Sequence, residues 1–500
     1  MDDNKTAGAS RSAGRSWSRA VMGLAASGAL LLAGATPAHA AGVGHHSSNT
    51  GRAVTSLAGH RYEAMSPGAQ LRLAQAPRGL RAAVRSALGK SGAAATASAI
   101  GAKLLPRDAS AQNVFGASIA VSGNTALVGA TTANGGPGKG TGAVYVFVKG
   151  PAGWTQQAKL AATDPVGTAK ENFGFSVALD GDTAVIGAPN RGTFSGDPFG
   201  QAGAAYVFQR LGTKWSQQAI LTNQPSGGET GDFLGFSVAV SGGTLLAGAP
   251  GAAVGGAVFE YVRSGATWSQ AAEFSGSDTG LSNTFGWDVA LSGNTAVIGA
   301  PRATVGAGTA YVFVKTGTHF VQQAKLAPPN SQSADLFGYS VALSGRTTLI
   351  GAPGCCALPQ RYGVFRGVAY TFVRSGGRWV NRARLTARDG KPFVLDTSQE
   401  GDFFGGSVAL TGGTAVIGAP QWAKPPAIAG GPVDFTGAAY EFQRAGDEFS
   451  GHWSQRREVT AADGARLDRL GFATGIAGST GLVGAPFHND NRGAVYLFGL

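Results

Sequence analysis

Cysteine is almost missing from these 500 residues: there are two, the neighbours Cys355 and Cys356. Adjacent cysteines cannot tie distant segments together, so a disulfide scaffold is excluded. A strained vicinal disulfide, a bond to another chain and a reduced pair all stay open. Charge is sparse as well, at 14%, while glycine reaches 80 residues. That balance argues against a helical or coiled-coil protein and for many short strands joined by glycine turns. Histidine numbers only seven: His39, His45, His46 and His60 near the start, His319 and His452 beside tight turns, and His488 alone in a loop. No Ser/His/Asp grouping, HExxH or phosphate loop can be assembled from them, so no catalytic residue is assigned. After the first forty residues no stretch is apolar enough to cross a bilayer, which excludes stable membrane insertion of the remainder.

The formal charge of +12 is unevenly spread. Residues 1–100 hold 11 Lys/Arg against 3 Asp/Glu, a net of +8, and residues 101–500 hold 29 against 25, a net of +4. A nucleic-acid partner is therefore not indicated. Residues 1–40 have the pattern of a Sec-type signal peptide: basic Lys5, Arg11, Arg15 and Arg19, the apolar stretch Ala20–Gly34, then Ala38-His39-Ala40. Cleavage after Ala40 and a secreted location are expected. Residues 41–97 are rich in Gly, Ala, Ser and Arg, with a helix-like patch over 67–88 that Pro77 and Gly79 interrupt. A mostly disordered basic spacer is expected there.

From residue 98 onward one sentence recurs. FGFSVALDGDTAVIGAP at 173–189 returns as FGWDVALSGNTAVIGAP at 285–301. Seven copies carry an FG-like pair whose glycines are Gly116, Gly174, Gly235, Gly286, Gly338, Gly405 and Gly471. A Gly-Ala pair begins 13 residues later each time, at Gly129, Gly187, Gly248, Gly299, Gly351, Gly418 and Gly484. Repeats of this length indicate propeller blades or solenoid units. Each copy parses into four strands: A (FGxSVAL), B (TAVIGA), C (GAVYVF-like) and D (WSQQAKL-like). The glycine seven residues after the FG glycine, such as Gly181 or Gly345, suits a type II′ hairpin between A and B.

Strand D follows only six copies, because the chain stops at Leu500 just after the seventh strand C. Ala102-Lys103-Leu104 supplies the missing strand ahead of the first copy, with Leu104 placed 12 residues before Gly116 as Leu326 is before Gly338. The expected fold is all-β: a seven-bladed propeller of four-stranded blades, closed by an N-terminal strand that completes the last blade. Closure removes exposed sheet edges.

These copies resemble FG-GAP repeats, the blades of integrin α-subunit propellers and of many secreted bacterial proteins. The W-S-Q-Q-A-x-L strand is most similar to the bacterial variety. In integrins the family often holds calcium in a D-x-D-x-D-G loop between A and B. Here only a two-residue hairpin stands there, and its most acidic version, Asp180-Gly181-Asp182, falls short of the six to eight oxygens calcium takes. No metal ligands or cofactors are expected, and Asp182 reads as a turn residue. The resemblance implies a secreted, non-catalytic binding or adhesion module; a polysaccharide-acting enzyme or lectin is the alternative.

The residue three before each FG-like glycine is polar: Asn113, Glu171, Asp232, Asn283, Asp335, Asp402 and Asp468. Recurrence in every blade suggests a turn that bonds nearby backbone. Trp154, Trp215, Trp268, Phe320, Trp379 and Trp453 recur at the start of strand D and suggest packing between blades. Length variation falls on the B–C and D–A loops, which lie on one face. Ligand contacts are therefore expected there, at Arg361, Tyr362, Arg366, Trp422, Lys424 and Phe435. Residues 339–395 hold nine Lys/Arg against the single acid Asp389, so the expected partner is an extracellular protein or an anionic glycan, met by a monomer.

Overall fold

The computed structural model describes residues 96–500 apart from 134–140, 164–170, 193–201, 224–230, 253–254, 281, 305, 330–334, 355–366, 389–400 and 424–433. Seven sheets make the ring. Blade 2 is representative, with antiparallel strands Ser176–Asp180, Thr183–Ala188, Ala204–Leu211 and Lys214–Leu221 in the order A–B–C–D. The A–B glycines, Gly123 to Gly478, have φ between 52° and 58°, while the residue after each does not have positive φ. That is the type II′ pattern, in which one turn position demands glycine.

Closure is as the sequence implies, with an addition. Strand β1 (Thr96–Ile100) precedes β2 (Lys103–Leu104). β2 pairs antiparallel with strand C of blade 7, Lys103 opposite Tyr496 and Leu104 opposite Val495, and Leu497 N donates to Ala102 O at 2.8 Å. β1 pairs parallel with strand D of blade 6, from Thr96 opposite Arg457 to Ile100 opposite Ala461. Blade 6 is thus five-stranded, a departure from the four expected. The chain touches blade 6 before it completes blade 7, so the closing segment is held at two points.

The core lies between blades rather than within them. Seven buried clusters each join two neighbouring blades. One of them brings Leu482 and Val495 of blade 7 against Phe115 and Tyr145 of blade 1. The repeated motif explains this packing. The FG phenylalanine meets the Tyr-x-Phe of its own strand C edge-on, as Phe173 does with Tyr206 at 5.1 Å and Phe208 at 6.1 Å. The Gly-Ala glycine of each blade lies under the FG glycine carbonyl of the next. A Cβ on Gly129 would strike Gly174 O, and one on Gly484 would strike Gly116 O across the seam. Side chains are excluded there because two backbones occupy the space.

Strand D shows two features the sequence did not reveal. In all six full copies a β-bulge interrupts its pairing with strand C, at Gln157, Gln218, Ala271, Gln323, Arg382 and Arg456. A bulge on the outermost strand twists the edge away from partners. Two of the three bulged glutamines also bond the next blade: Gln157 Oε1 accepts from Trp215 Nε1, and Gln323 Oε1 from Trp379 Nε1, each at 3.0 Å. The recurring tryptophans pack between blades as expected, and Trp215 and Trp379 are pinned there. Trp154 lacks such a partner because Gly101 stands at the glutamine position of the closing strand.

Candidate functional site

Strand A is the innermost strand, so its first residues from all seven blades gather on the axis. Five blades place serine there. Its Oγ donates to the FG glycine carbonyl of the following blade at 2.8 Å, in Ser118 to Gly174, Ser176 to Gly235, Ser237 to Gly286, Ser340 to Gly405 and Ser407 to Gly471. Blade 7 has Ala473. Blade 4 has Asp288, whose Oδ1 accepts from Val289 N at 3.0 Å and Oδ2 from Val341 N at 2.7 Å. The departure was visible in the repeat itself, as WDVAL against FSVAL, but carried no meaning without its position on the axis.

The residue before each of these is aromatic in five blades. Phe175, Phe236, Trp287 and Tyr339 form a continuous arc with centroids 4.9, 4.7 and 5.4 Å apart. Blade 6 has Gly406, and Phe403 extends the arc instead, 5.1 Å from Tyr339. Phe472 stands across the axis and packs on Phe487 at 6.0 Å. Phe175, Phe236, Trp287, Tyr339 and Phe472 line a cavity of about 240 Å³ on the face of the B–C and D–A loops.

Protein surrounds Asp288 from the side while the channel leaves it partly exposed along the axis. That burial pushes its carboxyl up to about 7, against the pull of the two backbone N–H groups. Tyr339 is pushed up to about 12, first by burial and then by the Asp288 charge, with Arg302 and Arg469 acting the other way. Arg302 is itself lowered by burial, offset by Tyr339. The Arg469 guanidinium lies 5.6 Å over the Phe487 ring. Tyr339 and Asp288 both line the cavity, and Asp288 is its one carboxyl group.

A second cluster sits at the seam. Asp463 accepts from Lys103 Nζ at 2.5 Å and from Tyr496 Oη at 2.6 Å. Burial would raise this carboxyl, but the Lys103 and Tyr496 bonds hold it at about 2. The same triad recurs in blade 4 as Asp278, Lys325 and Tyr311, and in blade 1 Asp108 holds Lys159 at 2.6 Å. The lysine of the AKL motif is thus an ion-pair partner as well as an edge charge. Blade 7 adds His488, whose Nδ1 lies 2.8 Å from buried Asp468 and whose Nε2 lies 3.2 Å from Lys103 Nζ and 3.4 Å from Tyr496 Oη. His488, isolated in the sequence, is therefore embedded, with both ring nitrogens engaged inside the closing contact.

The polar residues ahead of the FG pair are partly as expected. Asp468 bonds nearby backbone, accepting from Ala465 N at 2.7 Å. Glu171 and Asp232 instead accept from side chains, Tyr206 Oη at 3.2 Å and Asn223 Nδ2 at 2.6 Å. Asp182 pairs with Arg210 at 2.6 Å beside its turn. Among the described residues no group of three or more His, Cys, Asp or Glu is placed to hold a metal ion, and no helix is long and apolar enough to cross a membrane.

Of the expected ligand contacts, Arg361, Tyr362, Arg366 and Lys424 lie outside the described residues, as do Cys355 and Cys356. Trp422 packs against the core cluster between blades 5 and 6 and closes its loop, accepting from Gly437 N at 3.0 Å. Phe435 is half-buried. Neither lines the axial cavity. The described arginines of blade 5 lie elsewhere again. Arg346 is in the A–B hairpin, and Arg378, Arg382, Arg384 and Arg388 lie on or just after the outer strand, with Arg346 and Arg382 over the Phe449 ring at 4.8 and 5.6 Å. The axial residues were missed because each is an ordinary repeat position; only convergence on one axis makes them a site.

The architecture is that of a closed seven-bladed β-propeller with an aromatic-lined axial cavity. The FG-GAP repeat family matches seven times, at residues 101–147, 154–208, 215–261, 268–313, 320–372, 379–442 and 453–498, and the chain belongs to that family. No curated protein is a match for this sequence. Solved structures similar to it include the periplasmic gluconolactonase of Pseudomonas aeruginosa, at 18% identity over 70% of this chain and 86% of that one, with a TM-score of 0.41. Another is Chaetomium thermophilum Sqt1 bound to the N-terminus of ribosomal protein L10, at 13% identity over 74% and 82% of the two chains, with a TM-score of 0.39.

Proposed function

We propose that the chain is an exported, non-catalytic binding module of the adhesion type, which presents the B–C and D–A face of a rigid ring to an extracellular partner. The observation that carries this reading is the axial cavity, where aromatic surface and a few fixed polar groups converge on that face, the usual composition of a ligand site. The serines around it are committed to neighbouring carbonyls and the one carboxylate to two N–H groups, an arrangement that holds positions and supplies no nucleophile–base pair. Export rests on the first forty residues and their Ala38-His39-Ala40 site. The test is a glycan-array and protein pull-down screen with residues 41–500, followed by product analysis on whatever binds. Binding without turnover is the expected result. Turnover of a bound polysaccharide would replace this reading with the enzyme alternative.

A further inference from the structure

We infer that the outer wall of blade 5 binds an acidic polysaccharide, with Arg346 and Arg382 taking its anionic groups and Phe449 of blade 6 holding both guanidinium groups in place. This surface is apart from the axial cavity and from the B–C and D–A loops. The inference therefore goes beyond the binding-module reading.

Three departures from the repeat meet at this spot. At the second place of the A–B turn other blades put residues such as Asn124, Asp182 and Asn294, and Asp182 pairs with Arg210. Blade 5 puts Arg346 there, bonded to the backbone of Arg374, so two bases replace an acid–base pair. At the strand-D bulge, where three blades have glutamine, blade 5 has Arg382. The third departure is the C–D hairpin of blade 6. Two residues make that turn in blades 1 to 5, but residues 446–451 stand between Ala445 and His452. The added length carries Phe449 across to blade 5, where Arg346 lies 4.8 Å and Arg382 5.6 Å from its ring centroid.

The result is charge that the protein holds in place and does not neutralise. Arg346 donates from Nε at 3.2 Å and from Nη2 at 3.0 Å to the Arg374 carbonyl, which fixes its plane and leaves its other N–H groups outward. Arg382 is exposed and, among the described residues, bonds no acceptor. Asp447 and Glu448 are the acids on the facing hairpin. Asp447 spends its oxygens on that hairpin, accepting from Phe449 N at 2.6 Å, Ser450 N at 2.8 Å and Ser450 Oγ at 2.5 Å. Among the described residues neither acid forms an ion pair with Arg346 or Arg382. Two cations on one ring stand within roughly 10 Å, the range over which exposed charges still act on each other at about 0.1 M salt. They repel until an anion joins them, and the paired N–H edge of arginine fits an oxyanion.

Backbone geometry then chooses among polyanions. The outer strand Arg378–Leu385 exposes Arg378, Val380, Arg382 and Arg384, and no other outer strand carries three Lys or Arg. An exposed ridge of cations suits a chain that repeats its charge and makes many weak contacts at once. An acidic peptide gains most by adding as a strand, and the bulge at Arg382 breaks the register for that. A polysaccharide engages side chains alone, so the bulge does not hinder it.

The test is calorimetric titration of residues 41–500 with dextran sulfate and polygalacturonate, against neutral dextran and polyglutamate. At least one acidic polysaccharide should bind about tenfold or more tighter than both controls, and added salt should weaken it. Arg346→Asn with Arg382→Gln installs residues that other blades use, so the melting temperature should hold while affinity falls about tenfold or more. Lys214→Thr with Arg263→Gln removes the same charge from blades 2 and 3 and should change affinity by less than about twofold. Both variants keep the basic segment 41–97, so the comparison separates the wall from that segment. Phe449→Ala alters no charge and should still weaken binding about threefold, because the arginines lose their support. Wild-type affinity in the Arg346/Arg382 variant or in Phe449→Ala would overturn the inference. So would an equal loss in the Lys214/Arg263 variant, polyglutamate binding as tightly, or no polysaccharide binding. A partner found on the B–C and D–A face would leave this result untouched, since neither arginine lies there.

Discussion

At the scale of single residues, Asp288 is where the repeat departs most from its own rule. Its folded-state value near 7 stands above the 3.8 of an unperturbed side chain, so the folded protein holds an extra proton between those pH values. Stability from this group is therefore full at low pH and is lost as pH rises toward 7. Asp288→Ser removes that loss and restores a hydroxyl donor toward Gly338. The variant should melt above wild type at pH 8, by on the order of 1–2 kcal/mol once water along the axis is allowed for, and the gap should shrink by more than half at pH 5 and vanish only below the ordinary carboxylate value. Thermal melts at the two pH values measure it; a gap that is the same at both would show that Asp288 does not titrate in this range.

At the scale of elements, glycine has two separate jobs that look alike in sequence. Gly345 turns the A–B hairpin of blade 5 with φ at 58° and open space where a Cβ would go. Gly351 lies in strand B, where a Cβ would strike the Gly405 carbonyl of blade 6. Gly345→Ala should cost about 1–2 kcal/mol of backbone strain. Gly351→Ala forces two blades apart and should cost about 4 kcal/mol or more, in the range reserved for core disruption. Denaturant melts of the pair decide it, and equal costs would mean that blade spacing is not what the motif glycine protects.

At the scale of the whole molecule, the ring is closed by non-covalent contacts at one seam. β1 lies on blade 6, β2 completes blade 7, and Lys103 enters the cluster of Asp463, Tyr496 and His488. Removing residues 41–95 should leave the melting temperature unchanged. Removing 41–101 takes β1 away and should lower it. Removing 41–105 takes β2 as well, opens the edge of blade 7 and empties the Leu104 place in the core, so unfolding or aggregation should follow. Equal melting temperatures for the shortest and longest truncations would sink the closure. Acid should loosen the same seam: Asp463 is held at about 2, so the stability it contributes is present above the ordinary carboxylate range and is lost as pH falls toward 2.

Blade number, strand order, hairpin type and the closing strand were legible in the chain because each follows from spacing. A 13-residue interval from FG to Gly-Ala leaves room for one hairpin, and a missing last strand must come from the other end. The core role of the strand-D tryptophans was legible for the same reason, since a residue repeated at one place in every blade serves the packing common to all. Tertiary structure decided what spacing does not encode. The β1 contact with blade 6 is a pairing between residues more than 350 positions apart, with no repeat partner to announce it. The placing of His488 beside Asp468 and Lys103 depends on closure of the ring. So does the axial cavity: Trp287 and Tyr339 occupy equivalent positions in successive repeats, as Asp288 and Ser340 do, and these pairs become neighbours only because seven blades turn their first strands toward one axis.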